Sequence, residues 1–295
     1  MKTIEEAIDS YSNWHQNRVG ETWWNQSYAA LRMLFRQRLK EPLDTVTPLF
    51  LDDYFSVRRQ NVAPATVNKD IVAVKQFFRR MLLWGDIATN PSVGLQYYTN
   101  PPGRIRFLAP KEWEKVEAEC NVSGDIGKAI LFALYTGMRR GEILSLSWGQ
   151  VLLDIGVISL YQTKNKTPRT IPLHPKLLTM LQDKMKCCNW IFCFARHKPI
   201  KNSRVHRLFN EFMSKLEIPD FTFHSLRHTF ASYLVMNGTD LRTTAQLLGH
   251  KRIETTLRYS HLSLEHLRKA VLKVEPIQTD ATPPETGGSP GPQDR

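Results

Sequence analysis

The residues best suited to chemistry fall in five short stretches. TTLRYSH carries Tyr259 beside Arg258 and His261, and LLGHKR just upstream carries His250, Lys251 and Arg252. HSLRH sets His224, Arg227 and His228 at i, i+3 and i+4, so one helical face can present all three. TGMRRGE places Arg139 and Arg140 just after a Thr-Gly helix end, and TKNKTPRT offers Lys164, Lys166 and Arg169 around a turn. A phenol with a pKa of about 10 is a poor nucleophile at neutral pH. Guanidinium, imidazole and ammonium groups are what would let it attack an anion such as a phosphodiester, whose charge grows in the transition state. They are also what an ordinary basic surface helix would show.

Each stretch taken alone has a second reading. A histidine pair at i and i+4 can bind zinc, but the glutamate of the metalloprotease motif is missing and Arg227 on the same face would repel a cation. An anion site suits that face better, because an arginine forks two hydrogen bonds to phosphate oxygens while an imidazole exchanges a proton. Gly137 allows a sharp turn that aims Arg139 inward with Glu142 as its ion-pair partner; the alternative is a surface turn with two solvated arginines. Lys164 at a hairpin tip either reaches into a groove to donate a proton or is simply solvated. Cys187, Cys188, Cys193 and His197 share one window, but their spacing fits no standard zinc pattern, and Cys193 lies in the apolar run WIFCF, read as a buried strand. Reduced structural thiols are expected, with no metal and no cofactor.

The elements that must carry these residues are mainly helical. IEEAIDSYSNWHQ, TWWNQSYAALRMLFRQRL, PLFLDDYFSVRRQ and TVNKDIVAVKQFFRRMLLWG repeat apolar residues at three- and four-residue intervals, which predicts an N-terminal four-helix bundle, the last helix capped by Thr66. Lys69, Lys75, Arg79 and Arg80, with Arg58 and Arg59, offer it a basic face. YYTNPPGRIRF, residues 97–107, reads as a linker. Beyond it KEWEKVEAEC, DIGKAILFALYTG and GEILSLSW read as helices. VISLY and RTIPL read as two strands around TKNKTP, and helices resume from HPKLLTMLQDKM through IETTLRYSHL to LEHLRKAVLKV. The fold expected is mainly α, with a small antiparallel sheet in the second domain. The divisions are 1–96, a linker 97–107, 108–275, and a Pro/Gly/Thr-rich tail, 276–295, expected to be disordered.

Charge supports a polyanionic partner. The 295-residue chain has a net charge of +12, and residues 104–275 alone hold 27 Lys/Arg against 15 Asp/Glu. Nucleic acid is the commonest such partner, a solvated basic surface being the other reading. No run of about 18 apolar residues occurs, and the N-terminus has acids where a signal peptide has its apolar segment. A cytoplasmic protein with no membrane contact is expected.

Taken together, the five stretches resemble the tyrosine recombinases, or phage integrases. TGMRRGE, the lysine of TKNKTPRTIPL, HSLRHTFAS, the LLGH segment and TTLRYSH occur in the family's order. His250 lies 23 residues after Arg227, and Tyr259 nine after His250. The resemblance covers nearly all of residues 1–275, and PATVNKDIVAVKQFFRRMLLWGDIATNP is similar to the family's core-binding domain. It implies a SAM-like helical DNA-binding domain followed by a catalytic domain of the DNA breaking-rejoining fold. It implies an enzyme that cleaves and rejoins specific sites in double-stranded DNA through a 3′-phosphotyrosine, as a homotetramer on two duplexes, without metal or ATP. Tyr259 would be the nucleophile, Arg139 and Arg227 the phosphate-holding arginines, and His224 the residue placed to accept or relay the tyrosine proton. His250 would hydrogen-bond the phosphate, and Lys164 would protonate the leaving oxygen, with Arg140 and Lys166 as runners-up to Arg139 and Lys164. Lys251, Arg252 and Arg258 are either DNA-backbone contacts or plain surface. The amphipathic LEHLRKAVLKV would dock on a neighbouring subunit or on its own domain. The chain starting straight into core-binding helices favours an Xer, integron or mobile-element type over a lambda-like arm-site mechanism. A type IB topoisomerase and a catalytically silent DNA-binding regulator are the alternatives.

Overall fold

The computed structural model describes residues 2–101, 103, 105–161, 168–183, 188–195, 198–199, 202–262 and 271–272. The chain divides into two compact units, Met1–Arg104 and Ile105 onward. Lys164 and Lys166, the terminal tail, and all of LEHLRKAVLKV except Val271 and Leu272 lie outside the described residues, as do Cys187 and His197.

Four helices build the first unit: α1 (Ile4–Gln16), α2 (Glu21–Leu34), α3 (Pro48–Asn61) and α4 (Pro64–Trp84). Thr3 caps α1 through a reciprocal box with Glu6, which satisfies N-terminal N–H groups that have no partner within the helix. Helix α4 begins three residues earlier than its sequence suggests. Ala63, not Thr66, is the N-cap and Pro64 opens the first turn, where its missing N–H costs nothing. The core interleaves Ile4, Ile8, Leu31, Phe55, Ile71, Val74, Phe77 and Phe78 from all four helices with Phe35, which caps α2.

In the second unit, α5 (Pro110–Val122) and α6 (Gly124–Thr136) come first, then the five-residue α7 (Arg140–Leu144). Helix α6 is the central element: Ala129, Ile130, Phe132 and Ala133 are buried, and it packs against both α5 and α10 (Phe223–Met236). A three-stranded antiparallel sheet follows, β1 (Val151–Leu152), β2 (Val157–Leu160) and β3 (Arg169–Pro172), in the order β1-β2-β3. Strand β2 pairs with β3 from Val157↔Pro172 to Leu160↔Arg169, with Ile158, Leu160 and Ile171 facing the core. Strand β1 is too short for two-residue alternation to announce it. Tyr161, read as the end of a strand, lies just past β2 and is exposed.

Helices α8 (Pro175–Gln182) and α9 (Asn202–Lys215) flank a two-stranded ladder, β4 (Cys193–Ala195) with β5 (Lys198–Pro199). The buried part of WIFCF is Ile191 and Phe192, ahead of the strand. After α10 come α11 (Leu241–Leu248) and α12, whose four residues Glu254–Leu257 are far fewer than the helix expected over IETTLRYSHL. The chain there closes into i+3 turns, Tyr259 N–H to the Thr256 carbonyl and Leu262 N–H to that of Tyr259, both at 3.0 Å. Tyr259 therefore sits in a turn rather than on a helical face.

Candidate active site

Two helix ends define the site. Helix α6 ends at Gly137 with φ 61° and α11 at Gly249 with φ 66°, left-handed values that glycine adopts freely. At either position a side chain would also force a neighbour to move. A Cβ on Gly137 would lie 2.3 Å from Cδ1 of Phe230, and one on Gly249 would lie 2.7 Å from Nη1 of Arg169. Helix ends leave carbonyl oxygens without intrahelical donors, and here Arg227 supplies two. Its Nη1 donates to the carbonyl of Gly137 and its Nη2 to that of Leu248, each at 2.7 Å. Arg227 is 3% exposed. Burial first, then the charge of Arg139, lowers its pKa to about 9, which leaves it cationic at neutral pH.

Arg139 is held from two sides. Its Nη1 meets Glu142 Oε1 at 3.0 Å, and its Nη2 donates to the Gly249 carbonyl at 3.1 Å. The ion pair expected from the spacing is therefore present. Glu142 also accepts the backbone N–H of Arg139 at 2.9 Å, capping α7, and takes Arg169 through two further bonds of 3.1 and 2.7 Å. Burial of Glu142 works against its charge, but Arg169 and Arg139 more than offset this and leave its carboxyl below the usual range. One carboxylate thus joins β3 to the start of α7.

The histidines surround this pair. His250 follows Gly249, and its Nδ1 lies 2.7 Å from the hydroxyl of Thr256. Burial, then Arg227, Arg139 and Arg258, lowers its pKa to about 4, so it is neutral at pH 7. His224 keeps an exposed edge on α10, yet the protein packed around it, ahead of Arg227, Arg139 and Arg258, lowers its pKa as well. His228 meets His224 edge to face at 4.7 Å between ring centroids. Its Nδ1 lies 2.6 Å from the hydroxyl of Tyr259. Tyr259 is only 2% exposed and packs with Ala231, Val235 and Leu248. Burial raises its pKa, with Arg258 and Arg227 opposing.

Arg139, His224, Arg227, His250 and Tyr259 are therefore brought together by residues from the α6–α7 junction, α10, the end of α11 and the turn after α12. Arg140 is not in the Arg139–Glu142 network. It lines a cleft of about 310 Å³ with Met138, His206, His224 and Arg227. Lys251 and Arg252 are exposed just beyond Gly249. Lys69, Lys75, Arg79 and Arg80 lie on α4 in the first unit. Arg79 is exposed, Lys75 covers Tyr97 at 5.0 Å, and Arg80 stacks on Trp14 at 3.8 Å. Arg58 is tied to Asp70 at 2.6 Å.

Two other tyrosines of this unit are held elsewhere. Tyr135 donates to Glu117 at 2.8 Å and Tyr233 to the Leu108 carbonyl at 3.2 Å. Sequence reasoning assigned no role to three participants. His228 was visible as the i+4 partner of His224, but nothing in the spacing says which imidazole reaches the phenol. Arg169 and Thr256 carry no local signal of their partners. Among the described residues no group of three or more His, Cys, Asp and Glu could hold a metal ion, and no helix is long and apolar enough to cross a membrane.

Comparison with known proteins gives the family and the fold. The model of the phage integrase family matches residues 106–266. The integrase of Haemophilus phage HP1 is 31% identical over 236 residues, a match covering 78% of this chain and 66% of that protein. XerC of Bacillus pumilus is 30% identical, over 72% of this chain and 75% of its own. Among solved structures, the Tn1549 transposon integrase in complex with circular intermediate DNA superposes with a TM-score of 0.76 at 19% identity, covering 93% of this chain and 100% of that one. A lambda integrase dimer bound to a core site gives 0.75 at 21% identity, over 86% and 97%. The chain belongs to the phage integrase family, the tyrosine-type site-specific DNA recombinases.

Proposed function

We propose that this recombinase breaks and rejoins DNA through a covalent 3′-phosphotyrosine at Tyr259. The observation that carries the reading is the convergence of one phenol, two arginines and three histidines at the ends of α6 and α11. Arg139 and Arg227 each keep N–H donors beyond those used on protein carbonyls and Glu142, and these would receive the nonbridging oxygens of the scissile phosphate. Donors fixed before the substrate arrives are worth roughly 10²–10³-fold each in rate, because they need not reorganise as charge builds. His250, neutral and oriented by Thr256, would add a hydrogen bond. Lys164 would protonate the leaving 5′-oxygen. The phosphodiester's energy is retained in the covalent link, so neither ATP nor a metal is required. A 5′-hydroxyl of the partner strand then reverses the step.

The first unit would grip DNA through α4, with Lys69, Lys75, Arg79 and Arg80 on phosphates, and Arg140, Lys251 and Arg252 would extend that contact on the second. Exchange between two duplexes cuts four strands and calls for a homotetramer. A lambda integrase tetramer bound to a Holliday junction, with a TM-score of 0.73 at 20% identity, supports that reading.

The test begins with duplexes that the full chain selects from a randomised pool. A nicked duplex carrying the selected sequence should trap a covalent adduct with the wild-type chain and none with Tyr259→Phe. An adduct that survives that change, or plasmid relaxation independent of the selected site, would overturn the reading.

A further inference from the structure

His224 is the histidine that the motif pattern places to take the tyrosine proton, but the hydroxyl of Tyr259 meets a different ring. We infer that His228 is the base that accepts the phenolic proton of Tyr259 during strand cleavage and returns it during rejoining. The inference rests on the phosphotyrosine reading above.

The contact is a 2.6 Å hydrogen bond between the hydroxyl of Tyr259 and Nδ1 of His228, the shortest path for a proton out of the phenol. Its direction follows from ordinary chemistry. A phenol carries one acidic hydrogen, and a neutral imidazole has one unprotonated nitrogen that is by far the stronger base. With the N–H on Nε2, the tautomer this role requires, Nδ1 accepts the phenol's hydrogen. His228 is neutral at pH 7, since burial and the facing charges of His224, Arg258 and Arg227 lower its pKa to about 4. His224 stands behind His228, its ring centroid 4.7 Å away.

The step balances. The Nδ1 lone pair takes the proton, and the O–H electrons of Tyr259 form the new O–P bond. The P–O5′ bond breaks onto the 5′-oxygen, which takes a proton from the general acid. His228 carries the tyrosine's proton as an imidazolium, a form that the negative phosphodiester beside it favours over the neutral ring of the DNA-free protein. When a 5′-hydroxyl attacks, its proton returns to the group that served as general acid and its oxygen forms the new P–O bond; the P–O bond to Tyr259 breaks, and the tyrosine oxygen recovers the proton held by His228.

His228→Asn is the discriminating substitution, because its amide oxygen can accept the phenol's hydrogen bond but cannot take the proton. On the nicked selected duplex, His228→Asn should form adduct about 100-fold more slowly at pH 7 than wild type, with DNA binding unchanged. Its rate should climb steadily with pH as hydroxide takes over. A duplex with a 5′-bridging sulfur, whose thiolate leaves without a proton, should rescue Lys164→Ala but not His228→Asn. Wild-type rate and pH profile in His228→Asn, with no adduct from Tyr259→Phe, would reject His228 while leaving the tyrosine chemistry standing. A wild-type chain that forms no adduct at Tyr259 would remove both. Should the variant fail to fold, nitrogen-15 NMR of the unmodified chain without DNA decides. An unprotonated Nδ1 on His228 that shifts in Tyr259→Phe supports the assignment, and one that does not shift refutes it.

Discussion

Arg169 meets Glu142 in a two-bonded pair, Nη1 to Oε1 at 3.1 Å and Nη2 to Oε2 at 2.7 Å, with the arginine side chain 8% and the glutamate 11% exposed. Arg139 shares the same carboxylate. The guanidinium assigned to the phosphate is thus braced against one that belongs to the sheet. Removing one partner of a buried pair strands the other's charge, which costs about 3 kcal/mol or more. Glu142→Gln should therefore lower the urea midpoint by that equivalent. It should also slow adduct formation, while unchanged DNA affinity would show that orientation rather than charge was lost.

Arg227→Lys tests the closure of the two helix ends. A lysine has one donor group and no fork, so it cannot span the Gly137 and Leu248 carbonyls together. At least one buried carbonyl loses its partner, at about 1–3 kcal/mol. Thermal unfolding should report that loss, and adduct formation should fall below detection even where the variant remains folded.

Gly137→Ala should be more disruptive than a surface glycine change. It combines a left-handed backbone with a Cβ placed 2.3 Å from Phe230. Calorimetry should show a clear fall in Tm. Gly141→Ala is the control, because a Cβ there meets nothing within 4 Å. Equal stability of the two variants would contradict the packing described here.

Stability should also fall with acid in a defined window. His228 and His250 have folded pKa values of about 4, below the ordinary histidine value of 6.5. The unfolded chain then binds protons more readily than the folded one. The stability these neutral rings represent is complete above about pH 6.5 and is lost as pH falls toward about 4, at up to about 1.4 kcal/mol per pH unit for each ring. Glu142, whose pKa is lowered, loses its contribution at lower pH still, as acid passes below the ordinary carboxylate value. Urea titrations from pH 7 to 4 should show the slope, and His250→Gln should reduce it.

Thr256→Val should free His250 without altering its charge. The hydroxyl 2.7 Å from Nδ1 disappears while the buried β-branched shape remains. We expect little change in DNA affinity and a loss of about tenfold in adduct formation, rescued on returning Thr256→Ser.

Much of the fold was legible because it rests on local rules. Apolar spacing marked α1 to α4, and alternation marked β2 and β3. Some boundaries differed: Pro64 took the first turn of α4, and α12 ran for only four residues, with Thr256 inside it bonded to His250. Glu142 was legible as the partner of Arg139 because three residues separate them on one helical turn. Its bond to Arg169, 27 residues away, was not.

The order and spacing of the arginines, histidines and tyrosine were enough to assign the family, because reaction chemistry constrains residue type and position along the chain. They could not say which side chains meet. The sequence sets His224 and His228 on one helical face, one turn apart; the motif pattern points to His224, and helical spacing alone does not say which ring reaches the phenol. The choice is made where the turn after α12 folds back on α10 and brings the Tyr259 hydroxyl to His228. A hydrogen bond needs an approach within about 3 Å, and only tertiary packing brings residues 31 apart in the chain that close.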